Sequence, residues 1–281
     1  MNKTTSKTTL RQTGSSLIPR AVVITKQQLQ ILVRIYNFRF VSTAQLQQLL
    51  AKKQIQQVQQ RLNLLLVRGY IGRNFSKQDR LTGRYASYYL LPKGMKVLKQ
   101  AKGYAFNPKV FHNIYKDKTA STRFINHCIG LGDINCNLKR LHGSNLEYFS
   151  KNSLIDLDHF PDPRPDAYLR IGADTKNLEE RSEHFLEYCE EIVPFFVYRK
   201  RIKQYVEYIE DGLWEEATSR PSPIIRLVAE TPVLQRRLQR FIKQYLSNYY
   251  SIPHARFLVT NMELLKTSTE QAIWTRITQE E

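Results

Sequence analysis

Apolar positions in the first hundred residues recur at helical spacing in three successive segments and then alternate as they do in strands. Thr25 is placed to cap a first helix, and Ser42 or Thr43 to cap a short second one. A third helix is predicted over 54–68, and Gly69 follows as a residue that ends it. The apolar residues of the three helices are Leu29, Leu32, Val33, Tyr36, Leu46, Leu49, Leu50, Ile55, Val58, Leu62, Leu65 and Leu66.

Two strand-like segments follow the third helix, at 70–75 and 85–91. The polar loop between them contains Asp79 and Gly83, which favour a turn. A helix that runs into a basic-tipped hairpin is typical of a winged helix, which presents the helix to the major groove and the hairpin to the backbone. With a further helix at 92–102, the pattern predicts a winged helix-turn-helix domain over 25–102.

The outer face of the third predicted helix carries side chains that suit DNA. Glutamine pairs with adenine edges, arginine with guanine, and lysine or arginine with phosphates. The predicted DNA-contacting residues are Lys52, Lys53, Gln56, Gln57, Gln60, Arg61, Arg73, Lys77, Arg80 and Arg84. A solvated polar face on a helical core would give the same pattern, and winged helices also bind proteins, so the fold does not decide the function.

The distribution of charge supports a polyanionic partner. The formal net charge is +18, from 43 Lys and Arg against 25 Asp and Glu. Residues 1–118 contain 22 of the bases and only two acids, Asp79 and Asp117, whereas the remainder is close to neutral. We therefore expect double-stranded DNA at the basic end. Residues 1–24, rich in Thr, Ser and Lys, are predicted to be a disordered basic arm.

Cysteine usage and hydropathy exclude several classes of protein. Cys128, Cys136 and Cys189 are scattered without a CxxC pair, which is typical of a reduced compartment and not of a zinc or disulfide framework. No apolar run approaches the roughly 20 residues of a membrane span. The N-terminus lacks an apolar core for export, so we expect a cytoplasmic protein without a membrane partner.

Strands and helices alternate in the second half of the chain. After a linker predicted at 103–118, a long helix is expected from Thr119 or Ser121 to about 141. Strands are predicted at 146–149, 167–171, 184–189, 224–229 and 255–260, and helices at 199–211 and 233–249. This order predicts an α/β domain with a mixed sheet over 119–281, and an α+β fold class for the chain as a whole.

Two acids on predicted strands are candidate catalytic and metal-binding residues. Asp166 precedes the second strand and Glu187 lies within the third, so adjacent strands would bring them together. Paired carboxylates can hold Mg²⁺ for phosphodiester hydrolysis, as in PD-(D/E)xK nucleases with their restriction-endonuclease-like fold. Cys189 stands where that motif has its lysine, and Lys200 and Lys203 on the next helix are the candidate substitutes. The alternative is a nuclease-like scaffold without activity, in which Glu187 pairs with a base.

The order of several short motifs resembles the replication-relaxation family of plasmids and other mobile elements. These motifs are 64–71, 88–94, the helix containing His127, 164–168, 185–187 and 201–205. The resemblance covers most of residues 25–212 and implies a DNA-binding role in replication or mobilisation of the element. Cys189 departs from the acid that is typical of the family two residues beyond the glutamate.

The sequence therefore predicts a DNA-binding protein that recognises duplex DNA through a winged helix. Replication or transfer proteins, or a second copy of the chain, are expected partners of the C-terminal domain. Two alternatives stay open. One is a Mg²⁺-dependent DNA nickase that uses Asp166 and Glu187, and the other is a winged-helix transcriptional regulator. No cofactor is expected unless the nuclease hypothesis holds.

Overall fold

Two β-sheets, each covered by helices, organise the computed structural model of the chain. The structure describes residues 24–75, 79, 81, 83, 85–102, 104, 106–172, 181–248, 255–268 and 273–277. Its N-terminal part contains α1 (Lys26–Phe38), β1 (Val41–Ser42), α2 (Thr43–Leu49), α3 (Ile55–Val67), β2 (Ile71–Asn74), β3 (Ser87–Leu90), α4 (Pro92–Gln100) and α5 (Pro108–Ile114). Its C-terminal part contains α6 (Thr122–His142), β4 (Leu146–Ser150), β5 (Ala167–Ile171), β6 (Ser182–Cys189), α7 (Phe195–Glu210), α8 (Leu213–Thr218), β7 (Ile224–Ala229), α9 (Pro232–Ser247), β8 (Phe257–Asn261), α10 (Met262–Thr267) and β9 (Thr275–Ile277).

Local sequence accounts for the starts of α1 and α2 and for the end of α3. Thr25 and Ser42 each cap a helix through a capping box, with Gln28 and Gln45 as the reciprocal partners. Gly69 follows α3 with a positive φ of 71°, a conformation that glycine adopts without strain. Apolar side chains of α1, α2 and α3 then pack with those of the hairpin in one buried cluster.

The smaller sheet has the order β1-β3-β2 and is antiparallel throughout. Strands β2 and β3 form the predicted hairpin, with Arg73 opposite Tyr88. The two-residue strand β1, which the sequence did not predict, adds to the other side of β3. Three predicted DNA-contacting residues of the connecting loop, Lys77, Arg80 and Arg84, lie outside the described residues, as does most of the predicted basic arm.

The segment predicted to be a linker, 103–118, is folded over most of its described length. Asn107 caps α5 by accepting a hydrogen bond from the Lys109 amide, and a 3₁₀ helix continues it through Tyr115–Thr119. Val110, Phe111 and Ile114 are buried in the same cluster as α1 and the hairpin. Because their apolar side chains have this core to enter, the segment extends the N-terminal part of the fold and is not an extended connection.

The larger sheet is mixed and has the order β4-β5-β6-β7-β8-β9. Strands β4, β5 and β6 pair antiparallel, β6, β7 and β8 pair parallel, and β9 closes the edge antiparallel. Helices α7, α8 and α9 cover one face, while α6 and α10 cover the other. This mixed sheet with its helices confirms the predicted α+β class, and β7 pairs parallel with both of its neighbours.

The two parts of the structure are joined by buried polar contacts. The Gln45 side chain of α2 donates hydrogen bonds to the Ile129 carbonyl at 2.7 Å and to Asp133 at 2.8 Å, both on α6. Asn152, which follows β4, donates a 2.7 Å hydrogen bond from its side chain to the Tyr36 carbonyl of α1. Among the described residues, no helix has the length and apolar character that crossing a membrane requires.

Candidate functional site

The outer face of α3 is polar and accessible, as its sequence periodicity predicted. Val58, Leu62 and Leu65 are buried beneath it, whereas Gln56, Gln57 and Gln60 are exposed. Arg61 lies half-buried, and its guanidinium donates a 2.7 Å hydrogen bond to the Gln57 carbonyl. Helix α3 leads directly into the β2–β3 hairpin, so its glutamine face and the hairpin are neighbours along the chain.

Three more predicted DNA-contacting bases flank α3. Lys53 is exposed and Lys52 is half-buried in the turn before α3. Arg73 is exposed on β2, with its guanidinium 6.0 Å from the centre of the Phe75 ring. These bases lie at both ends of α3, where phosphate contacts would position a helix in a groove.

A second candidate site is a cavity of about 770 Å³ between the two parts of the structure. Phe38 and Arg39 line it from the end of α1, and His127 lines it from α6. Asp166 and Glu187 line it from the large sheet. The two predicted acids therefore do share one cavity, because Asp166 lies one residue beyond the pairing of Ala167 with Leu186 on adjacent strands.

Asp166 is buried and held by three donors. Its carboxylate accepts a 3.1 Å hydrogen bond from the Tyr188 amide and lies 3.5 Å from His127 Nε2 and 3.6 Å from Lys151 Nζ. Burial alone would raise its pKa, but His127, Lys151 and the Tyr188 amide together hold the pKa of this carboxyl well below its usual range. Asp166 is therefore a buried anion whose charge is matched by neighbouring bases.

His127 bridges two carboxylates. Its Nδ1 lies 2.9 Å from Glu190, and its ring stacks on Tyr188 with the centroids 5.6 Å apart. Burial lowers its pKa, but the hydrogen bonds and charges of Asp166 and Glu190 outweigh burial and raise the pKa to about 10. His127 is thus a protonated imidazolium at neutral pH and acts as a cation in an ion-pair network.

Glu187 is paired with a different set of groups. Arg201 donates to its Oε1 at 2.7 Å, and the Tyr205 hydroxyl donates to the same oxygen at 2.5 Å. Burial lowers the pKa of Arg201, but the charge and hydrogen bond of Glu187, together with Tyr205 and Asp166, outweigh burial and raise the pKa above its usual value. Arg201 and Tyr205 lie one turn apart on α7, which faces the sheet through this pair.

The structure does not bring Lys200 and Lys203 to the two acids. Both are exposed on α7, and Lys203 Nζ lies 5.4 Å from the ring centre of Tyr245 on α9. The reason is helical periodicity, because Arg201 and Tyr205 occupy the face of α7 that meets the sheet. The bases next to the acids are instead Arg201 and Lys151, which the sequence analysis missed. Their signals were the one-turn spacing of Arg201 and Tyr205 and the position of Lys151 directly after β4.

The arrangement does not fit a divalent metal ion. Oxygen atoms of Asp166 and Glu187 that would bind Mg²⁺ already interact with Lys151, His127, Arg201 and the Tyr205 hydroxyl. Within the described part of the chain, no group of three or more His, Cys, Asp or Glu side chains is arranged to hold a metal ion. The predicted metal site at Asp166 and Glu187 would need these bases to move away.

Comparison with known protein families gives a match over most of the chain. A family model described as replication-relaxation matches residues 32–220, about two thirds of the chain. The matched range runs from α1 to the end of α8, so it includes the glutamine face and all the acids of the cavity. No curated protein and no solved structure matches the chain.

Proposed function

Because the chain belongs to the replication-relaxation family, we propose that it is a DNA-binding protein of a plasmid or other mobile element that acts in replication or mobilisation. Family membership supports a replication-related role. We assign the DNA contact to a winged helix formed by α1 to α4, in which α3 enters the major groove and the β2–β3 hairpin follows the backbone. The observation that carries this assignment is the exposed glutamine face of α3 next to that hairpin.

Chemistry and charge both favour this surface as the DNA contact. Glutamine amides at Gln56, Gln57 and Gln60 can each donate and accept, which matches the N6 and N7 edge of adenine. Lys53 and Arg73, at the two ends of α3, would contact phosphates on either side of the groove. The N-terminal part of the chain has almost no acidic residues to oppose a polyanion.

The C-terminal part has a proposed supporting role. The mixed sheet ends in strands β4 and β9, whose outer edges offer backbone groups to another chain. A replication or transfer protein, or a second copy of this chain, is the proposed partner there. Catalysis by Asp166 and Glu187 in the cavity is not part of this proposal, because both acids are paired with neighbouring bases.

A charge-neutralisation experiment tests the phosphate contacts. We expect Lys53→Gln/Arg73→Gln to weaken binding to duplexes of any sequence and to reduce the slope of log K against log salt by about 2, since each lost phosphate contact removes about 0.9. Fluorescence anisotropy across a salt series measures both quantities.

Lys266→Gln/Arg276→Gln is the matched control for this pair. It removes the same charge from two exposed positions on α10 and β9, and it should leave the affinity and the slope close to wild type. Equal behaviour of the two variants would reject the assignment of Lys53 and Arg73 to phosphates.

A further inference from the structure

A basic surface covers the outer side of α7 and α9, where these two helices pack side by side on the large sheet. From Phe195 to Val206, α7 carries bases and no acidic residue, and α9 has no acidic residue over its whole length. Acidic residues return only in the last turn of α7, at Glu207 and Glu210. The exposed bases that define this α7–α9 surface are Arg199, Lys200, Lys203, Arg236, Arg237, Arg240 and Lys243.

Aromatic rings line the seam between the two helices. Phe195 contacts Phe241 with the ring centroids 6.0 Å apart, and Phe241 stacks on Tyr245 at 5.9 Å. Arg237 lies with its guanidinium 4.0 Å from the Phe195 ring centre, and Lys203 covers Tyr245 from the other helix. The rings hold the stems of these side chains in place while the charges stay at the surface.

Most bases of this surface form no ion pair with an acidic residue in the described part of the chain. Among the described residues, the ion pairs within 4 Å do not involve Arg199, Lys200, Lys203, Arg236, Arg237 or Arg240. Residues 119–281 are close to neutral overall, so the fold has gathered bases on one face and placed most acids elsewhere. A concentration of like charge destabilises the compact state unless a partner neutralises it.

We propose that the α7–α9 surface binds the sugar-phosphate backbone of nucleic acid, as a contact distinct from α3. Bases interleaved with aromatic rings are the surface chemistry of nucleic-acid binding. The surface lies on the face of the sheet opposite α6, and α6 is the helix that contacts α1 and α2. A nucleic acid bound at both surfaces would therefore contact the two parts of the chain on different sides. The α7–α9 contact does not depend on the assignment of α3 to the major groove.

Neutralising part of the surface in the intact chain tests the proposal. Arg236→Gln/Arg240→Gln removes two exposed bases of α9, whereas Lys266→Gln/Arg276→Gln removes two from the opposite face of the same sheet. Of these two variants, we expect only Arg236→Gln/Arg240→Gln to bind DNA several-fold more weakly at low salt. Its slope of log K against log salt on a random duplex should be lower by up to about 2. Anisotropy titrations measure the binding of each variant to duplex and to single-stranded DNA. Thermal unfolding of each variant checks that it is folded.

The outcomes separate this proposal from the function assigned to α3. A loss in the α9 variant supports the α7–α9 contact whether or not Lys53→Gln/Arg73→Gln also weakens binding. A loss on single strands only would still support a backbone contact. If the α9 variant folds and binds both duplex and single-stranded DNA like the control, the proposal is overturned, and a surface for an acidic protein takes its place.

Discussion

At the scale of single residues, the central feature is a row of side chains of alternating charge that lines the cavity. Glu190, His127, Asp166 and Lys151 follow one another at distances between 2.9 and 3.6 Å, and Glu187 pairs separately with Arg201. Each buried charge has an opposite charge beside it, which is the condition under which burial of ions is tolerated. The network links α6 to the large sheet.

Two acids of this network, Asp166 and Glu187, were predictable from the sequence, but the groups that surround them were not. Asp166 and Glu187 were recognisable because a strand pattern surrounds each of them. Lys151, Glu190 and Arg201 acquire their role from the packing of α6 and α7 on the sheet, so local signals such as the one-turn spacing of Arg201 and Tyr205 are not sufficient to reveal it. Lys200 and Lys203, which were predicted beside the acids, are exposed on α7 for a related reason: the face that a helix buries depends on its tertiary contacts, and the local sequence does not reveal those.

The raised pKa of His127 gives a stability that depends on pH. Its pKa is about 10 in the folded protein and near 6.5 in the unfolded chain, so folding favours the protonated form. This contribution is fully present below pH 6.5 and is lost as the pH rises toward 10. We expect the free energy of unfolding of wild type to fall over that window more than that of His127→Gln, which cannot titrate.

Urea denaturation at a series of pH values measures this difference, and NMR titration of the imidazole gives the pKa directly. Parallel pH curves for the two proteins, or an imidazole that deprotonates near pH 6.5, would contradict the ion-pair network around His127.

At the scale of elements, local patterns account for most helices and strands. Helices α1 and α2 were predictable because caps and apolar spacing coincide, α3 because of its apolar spacing and Gly69, and β7 because it is a continuous apolar run. Strands β1 and β9 have two and three residues, too few for an alternating pattern. Helix α5 was predicted as linker because Asn107 and Pro108 resemble a loop, although here they are a cap and a first-turn proline.

Close packing of α4 against the hairpin leads to a second stability prediction. A Cβ added at Gly94 would lie 2.2 Å from the Tyr70 carbonyl oxygen, which also accepts a hydrogen bond from the Leu91 amide. Because backbone cannot move aside as a side chain can, we expect Gly94→Ala to lower the free energy of unfolding by about 3 kcal/mol. This loss outweighs the roughly 1 kcal/mol that alanine gains over glycine in a helix.

Lys96→Ala, at an exposed position of the same helix, is the control and should change the free energy of unfolding by less than about 0.5 kcal/mol. Equal stability of Gly94→Ala and Lys96→Ala in urea denaturation would show that α4 does not pack on the hairpin as described.

At the scale of the whole molecule, the two parts form one connected structure. The hydrogen bonds from Gln45 to Asp133, and from Asn152 to the Tyr36 carbonyl, connect the helices of the N-terminal part to the rest of the chain. The sequence could divide the chain by composition, since the bases concentrate before residue 118. The sequence could not show these contacts between the two parts, because the partners are separated by 88 and 116 positions along the chain.

The neutralised acids of the cavity lead to a prediction for the intact protein on supercoiled plasmid. We expect binding without strand cleavage, with or without Mg²⁺ or Mn²⁺, because Lys151 and Arg201 already occupy the neighbourhood of Asp166 and Glu187. Agarose gels and gel shifts beside Asp166→Ala and Glu187→Ala measure both activities. Metal-dependent nicking that is lost in both variants would instead establish a nuclease.

The most direct test of the proposed function is the affinity of α3 variants for a duplex that the wild-type protein selects from a random pool. Gln56→Ala/Gln57→Ala/Gln60→Ala removes the amides that would read bases, and alanine favours the helix, so the fold should persist. Anisotropy should show at least a tenfold loss on the selected duplex and little change on random DNA, since a good base contact contributes about 1–3 kcal/mol. Unchanged affinity for the selected duplex would contradict the placement of α3 in the groove.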